Sequence, residues 1–421
     1  MPATRPGPRP APSRRRLALA LATAAALAGV AAAAPSGVQA PTLTGAPPIV
    51  IGHRGASGYR PEHTLESYRV AIRQGADFVE PDLVLTRDGV PIARHEPLLG
   101  ATAVGGVALP RVNELTTTNI FAHPEFAGRL RTRLLDGVAI TGFWSDDFTL
   151  AEVKTLRARE RIPALRPGNT AHDDREPIPT LQEVIALVAE QRAVTGRPIG
   201  IYPELKHPTF FAEHARQRTG GARFEDTVLA ALHAAYGNRA DAPVFVQSFE
   251  VAPLRSLRPR TRLRLVQLLG PASTRPYDFV RAGDARTYGD LLTPAGLTAV
   301  RGWADAIAPA RDLVIPRPNN VLGAATTLVA DAHRAGLLVH PYTFRAENAF
   351  LSADYRRGAD STAPGDYEAE TRRFLALGID GFFTDQPDRG ARLVALGPPP
   401  RGGRLRGGLG GTGRVAGMAR R

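Results

Sequence analysis

The chain has no cysteine, only two lysines, two tryptophans and two methionines among 421 residues. The missing cysteine excludes disulfides and thiolate metal sites, and it leaves export open because nothing can mispair. Arginine outnumbers lysine 51 to 2, a bias that fits a GC-rich coding sequence better than a functional choice. Acidic residues are missing from both ends: residues 1–40 hold five arginines and residues 397–421 hold six, with no Asp or Glu in either stretch. The formal charge of +13 therefore falls to +2 over the rest of the chain, so a nucleic-acid-binding face is poorly supported. No repeat of solenoid type is visible. Long apolar runs are lacking too, with one exception. LALALATAAALAGVAAAA follows Arg14-Arg15-Arg16 and precedes the small residues of SGVQA. A basic start, an apolar run and a small-residue site describe a secretory signal over residues 1–40. The run is Ala-rich and about 18 residues long, marginal for spanning a bilayer. The expectation is export to a periplasmic, cell-surface or secreted location, with no stable membrane insertion after cleavage. SRRRLAL loosely suggests the twin-arginine form of such a signal. At the other end, GPPPRGGRLRGGLGGTGRVAGMARR offers too little apolar surface to pack, and residues 397–421 are expected to be a disordered tail.

Between these ends, short apolar runs recur with amphipathic stretches between them. The runs are 48–53, 78–86, 198–206, 243–249, 263–269, 306–314, 337–344 and 378–385. Helical patterns such as TLESYRVAIRQG and TLQEVIALVAEQRAVTG lie between them, and several end on glycine just before the next run, as helix stops in βα units do. Eight strands alternating with helices predict a parallel sheet closed into a (β/α)8 barrel, a TIM barrel, over residues 41–396. Residues 96–180 exceed an ordinary connection. They read as an insertion with some helix, centred on about 100–147 and placed after the second strand region.

Polar residues sit where this apolar pattern does not call for them. PIVIG ends on His53-Arg54-Gly55, and FVEPDLVLT carries Glu80 and Asp82. Side chains two apart on a strand share a face, so these two carboxylates point the same way, about 7 Å apart along the strand. Carboxylates that close repel one another in a semi-buried place unless a cation or a shared proton lies between them. Glu62 lies in the loop RPEHT, and His95 follows the short strand PIAR. Further polar groups recur at the ends of later runs: Glu204 and Lys206, Gln247 and Phe249, Tyr342, Asp385. In a barrel those ends form one face, where active groups gather. Glu80, Asp82 and Glu204, without cysteine, make an oxygen-rich set suited to Ca²⁺ or Mg²⁺; the bland alternative is a salt-bridge network with Arg54 and Lys206. Two histidines flanking such a site suit proton exchange near neutral pH, and Arg54 and Lys206 suit a phosphate.

The order HRG (53–55), PEHT (61–64), E-P-D (80–82), D-G (88–89) and His95-Glu96 resembles the glycerophosphodiester phosphodiesterase family. His63 stands where that family usually has Asn, and Glu96 where it usually has Asp. The resemblance implies the same barrel, with Glu80, Asp82 and Glu204 as ligands of a divalent cation, Ca²⁺ or Mg²⁺. It implies His53 and His95 as acid and base, with Arg54 beside them, and a small glycerophosphodiester as substrate. It marks Glu62 as a substrate-binding site position that orients a substrate hydroxyl or binds the metal, its alternative being a cap on the helix starting near Thr64. Lys206, Gln247, Phe249 and Tyr342 are expected to contact the substrate. The remaining histidines, His207 and His340 among them, read as structural or surface. Two rivals stay open: a phospholipase D- or C-like barrel acting on intact or lyso-phospholipids, and a non-catalytic barrel that only binds.

Overall fold

The computed structural model describes residues 40–214 and 223–397. The expected export signal and the expected tail lie outside these residues, apart from Ala40 and Gly397 at their edges.

Each of the eight apolar runs carries strand. In chain order the strands are β1 (Ile49–Gly52), β2 (Phe78–Val79), β3 (Asp82–Leu85), β4 (Pro91–Ala93), β5 (Leu98–Val104), β6 (Val107–Ala108), β7 (Arg131–Leu135), β8 (Val138–Trp144), β9 (Gly200–Ile201), β10 (Glu204–Leu205), β11 (Phe245–Ser248), β12 (Arg264–Leu269), β13 (Ala306–Pro309), β14 (Leu338–Val339) and β15 (Gly381–Thr384). One sheet runs β15-β1-β2-β9 and a second runs β14-β13-β12-β11-β10-β3-β4. Pro81 and Pro203 lack the N–H a ladder needs and split two continuous strands into β2/β3 and β9/β10. The register does not slip across the breaks: Phe78 faces Gly200 and Asp82 faces Glu204. Single bridges of Ile201 with Val244 and of Phe344 with Thr384 join the edges of the two sheets. Backbone bonds from Asp380 to Val339 and from Phe383 to Pro341 continue the second junction. The result is a (β/α)8 barrel, and β4 is an antiparallel addition to β3.

Alternation along the strands sorts the side chains. Ile51, Phe78, Tyr202, Phe245, Val266, Leu268, Ala306, Ala308 and Phe383 fill the barrel interior. Tyr202 stacks on Phe245 with ring centroids 4.9 Å apart and meets Phe383 edge-on at 5.0 Å. Gly200 is required here, because a β-carbon on it would come within 2.1 Å of the Phe78 ring. Two residues further along each strand, the same inward face carries His53, Glu80, Glu204, Gln247 and Asp385. The period of two thus converts an apolar floor into a polar layer at the C-terminal end of the barrel. Val50, Val246, Leu265 and Ile307 point outward into the larger core between strands and helices.

Within residues 96–180 the expected helix is the short one at Leu150–Val153, and no α-helix falls in the part centred on 100–147. Residues 98–144 form a separate antiparallel sheet ordered β6-β5-β8-β7, with only 3₁₀ turns at Ile120–Ala122 and Pro124–Arg129 between its halves. Two-residue turns decide this. Gly105 and Gly106 have φ of 57° and 81°, and Asp136 and Gly137 have 49° and 85°, the doubly left-handed geometry that matches hairpin twist and favours Gly-Gly and Asp-Gly. Val107, Leu134 and Val138, beside these turns, are exposed apolar residues.

Candidate active site

His53 and Arg54 follow β1, and the sharp turn there places Arg54 at φ 58° and Gly55 at φ 93°. Non-glycine residues at positive φ are uncommon and persist where surrounding contacts over-determine them. Arg54 has such contacts. Its backbone N–H donates to Glu80 Oε2 at 3.1 Å, and its guanidinium reaches Glu62 Oε2 at 2.7 Å and lies 3.5 Å from Asp82 Oδ2. Glu62 also meets Arg161 at 3.5 Å. It does not cap the following helix: Thr64 does, accepting from the Ser67 N–H at 3.0 Å.

Glu80, Asp82 and Glu204 come from adjacent strands and each offers an oxygen within 4.8 Å of the others. All three are buried. Burial, then the charges of Asp82 and Glu204, pushes Glu80 well above the usual carboxylate range. Burial and the neighbouring Asp82 push Glu204 up to about 8, against the pull of Lys206. Burial also opposes ionisation of Asp82, but His63, Lys206 and Arg54 hold it well below its ordinary value. The trio thus carries more negative charge than its surroundings support. Asp82 Oδ1 is buried without a hydrogen-bond partner. An orphaned carboxylate oxygen beside two carboxylates that resist ionisation suits a hard cation, so the residues fit a divalent ion.

His63 approaches this trio unexpectedly. It is fully buried at φ 56°, with Nε2 3.0 Å from Asp82 Oδ2 and Nδ1 2.8 Å from the Tyr68 hydroxyl. It fixes one oxygen of Asp82 and leaves the other free. Gln247 was expected to meet substrate. It is instead completely buried and donates to Glu80 Oε1 at 2.7 Å, so it orients a carboxylate from behind.

The two candidate acid–base histidines are held alike. Nδ1 of His53 is 2.5 Å from Asp385 Oδ1, and Nδ1 of His95 is 2.7 Å from Glu96 Oε1. A carboxylate accepts, so Nδ1 carries the proton and Nε2 presents its lone pair. Burial first, then the charge of Arg54, pulls His53 down to about 4 despite Asp385. Burial and the charges of Arg54, Lys206 and Arg161 hold His95 well below its usual value. Both rings are neutral at pH 7. Lys206 Nζ bridges Glu204 Oε1 at 3.1 Å and His95 Nε2 at 3.2 Å, over the face of Phe249. The only other lysine, Lys154, pairs with Glu183.

One cavity of about 470 Å³ is lined by His53, Arg54, Glu80, Asp82, His95 and Glu204, with Phe249 and Tyr342 on its wall. Glu62 lines an adjoining cavity of about 210 Å³ that shares His53 and Arg54. Sequence reasoning missed the residues that steady the site from behind. Arg166 and Arg345 grip Asp385 Oδ2 at 2.5 Å and 2.8 Å, and His207 bonds to Glu96 at 3.0 Å. Two arginines among 51 carry no contrast in the sequence. His340 does stay structural, its Nδ1 2.8 Å from the Tyr202 hydroxyl in the barrel floor.

Comparison with known proteins gives a consistent set. The model of the glycerophosphoryl diester phosphodiesterase family matches residues 53–389. The chain is 33% identical over 346 residues to a glycerophosphodiester phosphodiesterase of Arabidopsis thaliana, covering 80% of this chain and 83% of the relative. It is 28% identical over 373 residues to one of Haemophilus influenzae, covering 82% and 89%. A crystal structure from Silicibacter pomeroyi, of a protein provisionally named a glycerophosphoryl diester phosphodiesterase, shares the fold. It has a TM-score of 0.56 at 21% identity and covers 85% of this chain and 95% of that one.

Proposed function

The chain belongs to the glycerophosphoryl diester phosphodiesterase family and is an enzyme of that class, and on that premise we propose that it hydrolyses small glycerophosphodiesters to glycerol 3-phosphate and an alcohol with His53 and His95 as the proton-exchanging pair. The observation that carries this reading is the buried carboxylate trio, within 4.8 Å, flanked by two neutral imidazoles whose Nδ1 atoms are each held by a carboxylate.

Glu80, Asp82 and Glu204 would hold Ca²⁺, or Mg²⁺ in its place. A divalent cation bound there supplies positive charge to the phosphoryl oxygens as negative charge builds on them. Arg54 and Lys206 add fixed positive charge at the same place and cost no reorganisation during the reaction. One histidine takes the proton of the attacking oxygen at Nε2; the other, neutral at rest, first takes up a proton from solvent at its Nε2 and then gives it to the leaving alkoxide. The attacking oxygen is water or the 2-hydroxyl of the glycerol; the arrangement serves either. Gln247 and His63 keep Glu80 and Asp82 turned toward the cavity. Phe249 and Tyr342, packed edge-on with centroids 5.8 Å apart, form an apolar wall that excludes water from one side. Export belongs to the same reading and is supported by the leader-like residues 1–40. No helix among the described residues is long and apolar enough to cross a membrane.

The test is release of glycerol 3-phosphate from glycerophosphocholine by the full chain, with and without chelator. Activity that chelation removes and Ca²⁺ or Mg²⁺ restores is expected; turnover indifferent to chelation defeats the metal assignment. The exposed Val107, Leu134 and Val138 favour one other substrate, a lysophospholipid lying on that apolar edge. Faster hydrolysis of lysophosphatidylcholine than of glycerophosphocholine would select it.

A further inference from the structure

His207 is the residue after Lys206, and it has φ 46°. Its ring touches two carboxylates from opposite sides: Nε2 is 3.0 Å from Glu96 Oε2, and Nδ1 is 2.9 Å from Asp136 Oδ2. Glu96 Oε1 in turn is 2.7 Å from His95 Nδ1. A continuous path Asp136–His207–Glu96–His95 therefore runs from the β7–β8 hairpin turn to a ring facing the cavity. Glu96 is next in sequence to the ring it holds, and its side chain has several rotamers. A second anchor on its other oxygen selects the one that meets Nδ1. Both ring nitrogens of His207 face acceptors, so the ring is an imidazolium, and the Glu96 and Asp136 carboxylates hold its proton up to about 10 against burial. The neighbouring Lys206 meets the other nitrogen of His95 with its Nζ at 3.2 Å. His207 thus stands beside the groups on both sides of His95, and one of its two ring contacts comes from the insertion.

We propose that His207 and Asp136 are positioning residues for His95: the hairpin turn of the inserted sheet, acting through His207, holds Glu96 against Nδ1 and so aims Nε2 into the cavity. The inference rests on the reading that His95 exchanges a proton with substrate. It gives the insertion a part in turnover that a mere cover over the barrel mouth does not have.

The test is a set of single and double variants of the full chain, assayed with its bound divalent cation on glycerophosphocholine. His207→Asn suits the left-handed backbone but loses the charge and the reach to Glu96. Asp136→Asn preserves the left-handed turn with Gly137, which Asn suits as well as Asp, and removes the far carboxylate. His207→Asn is expected to lower kcat about 10-fold, as loss of a supporting partner does, with KM within about twofold of wild type. Asp136→Asn follows in the same direction by a smaller factor. In a His95→Ala background neither substitution lowers the rate further, because residues acting as one unit are not additive. A structural tie alone would reduce the rate by the same factor in both backgrounds, and that result overturns the inference. So does a wild-type kcat in His207→Asn beside a disabled His95→Ala. If His95→Ala itself keeps the wild-type rate, the role given to His95 is what fails, and the inference falls with it. Should His207→Asn not fold, the Asp136→Asn pair decides by the same criteria.

Discussion

His53 and His95 perform symmetrical tasks in surroundings of different construction. His53 stands at the end of a barrel strand. Its carboxylate partner, Asp385, ends the neighbouring strand, and Asp385 is itself held by Arg166 and Arg345. Burial opposes the charge on Asp385, but Arg345, Arg166 and His53 keep it well below its ordinary value. His95 stands after the short strand β4, and Glu96 is steadied by His207 and, through it, by the hairpin turn at Asp136. In one case the support is a pair of guanidinium groups that never lose their charge. In the other it is a single imidazolium that can. The difference teaches where each kind of support is affordable. A fully buried carboxylate needs permanent cations, because leaving it unpaired is expensive. A half-buried one can be held by a weaker group at a barrel strand end, itself anchored by Asp136 of the inserted sheet.

The sharpest way to break the comparison is to remove each ring. His53→Ala and His95→Ala should each lower kcat by about 10²–10⁴-fold with folding intact, the usual worth of a positioned acid or base. A nitrophenyl diester barely needs a general acid, so it should restore one variant and not the other. Equal restoration of both, measured in parallel assays, would mean that the two rings do not divide the work as acid and base.

The supports should differ in what they cost the fold. Asp385→Asn takes a charged partner from the buried Arg166, which keeps Glu347, and from the partly exposed Arg345. The loss should approach that of a broken buried pair, about 3–5 kcal/mol, and urea unfolding should show it. Glu96→Gln leaves His207 with Asp136 and with solvent access, so its effect on the urea midpoint should be several times smaller. Equal shifts would show that both carboxylates are set in equally demanding surroundings.

His63 sharpens the contrast between first contacts and those behind them. His63→Leu removes the donor that fixes one oxygen of Asp82 and should weaken divalent-cation affinity about 10–100-fold by calorimetry. His63→Asn, the residue usual in this family, keeps a donor and should fall between that variant and wild type. Unchanged affinity in His63→Leu would mean that Asp82 is positioned by Arg54 alone.

Most of the barrel and the centre of the site were legible in the sequence, and the reasons are specific. Runs such as PVFVQSF are short, rich in β-branched residues and bounded by turns, so strands are their natural reading. Period-two alternation places Glu80 with Asp82 and makes the trio with Glu204 readable once the runs are ordered. The inserted sheet was readable too, in the Gly105-Gly106 and Asp136-Gly137 turns between alternating residues, but a neighbouring stretch of Thr, Asn and His obscured it. What sequence could not give is which long-range partner each polar group finds. Arg166 and Arg345 look like any other arginine here. Gln247 has the right parity for the inner face, yet parity does not say whether a side chain meets the cavity or the back of Glu80. His207 shows nothing local that would foretell carboxylates 71 residues and 111 residues away.

The smallest expected effect tests the difference in support most directly, through pH. Burial lowers the affinity of His207 for its proton, but Asp136 and Glu96 outweigh it and raise the group from 6.5 to about 10. A group whose folded value lies above its unfolded value adds stability that is complete below the unfolded value. The addition fades as pH rises through the folded one. The contribution of His207 should therefore be constant below about pH 6.5, shrink between there and about pH 10, and vanish above it. Melting temperatures of wild type and His207→Asn, recorded across this range at fixed divalent-cation concentration, should differ most at its lower end and converge toward its upper end. Arg166 and Arg345 keep their charge throughout, so the support of His53 adds no such trend, and any convergence belongs to the His95 side. A gap between the two melting curves that stays constant or widens with pH would mean that His207 is not held as an imidazolium between its two carboxylates.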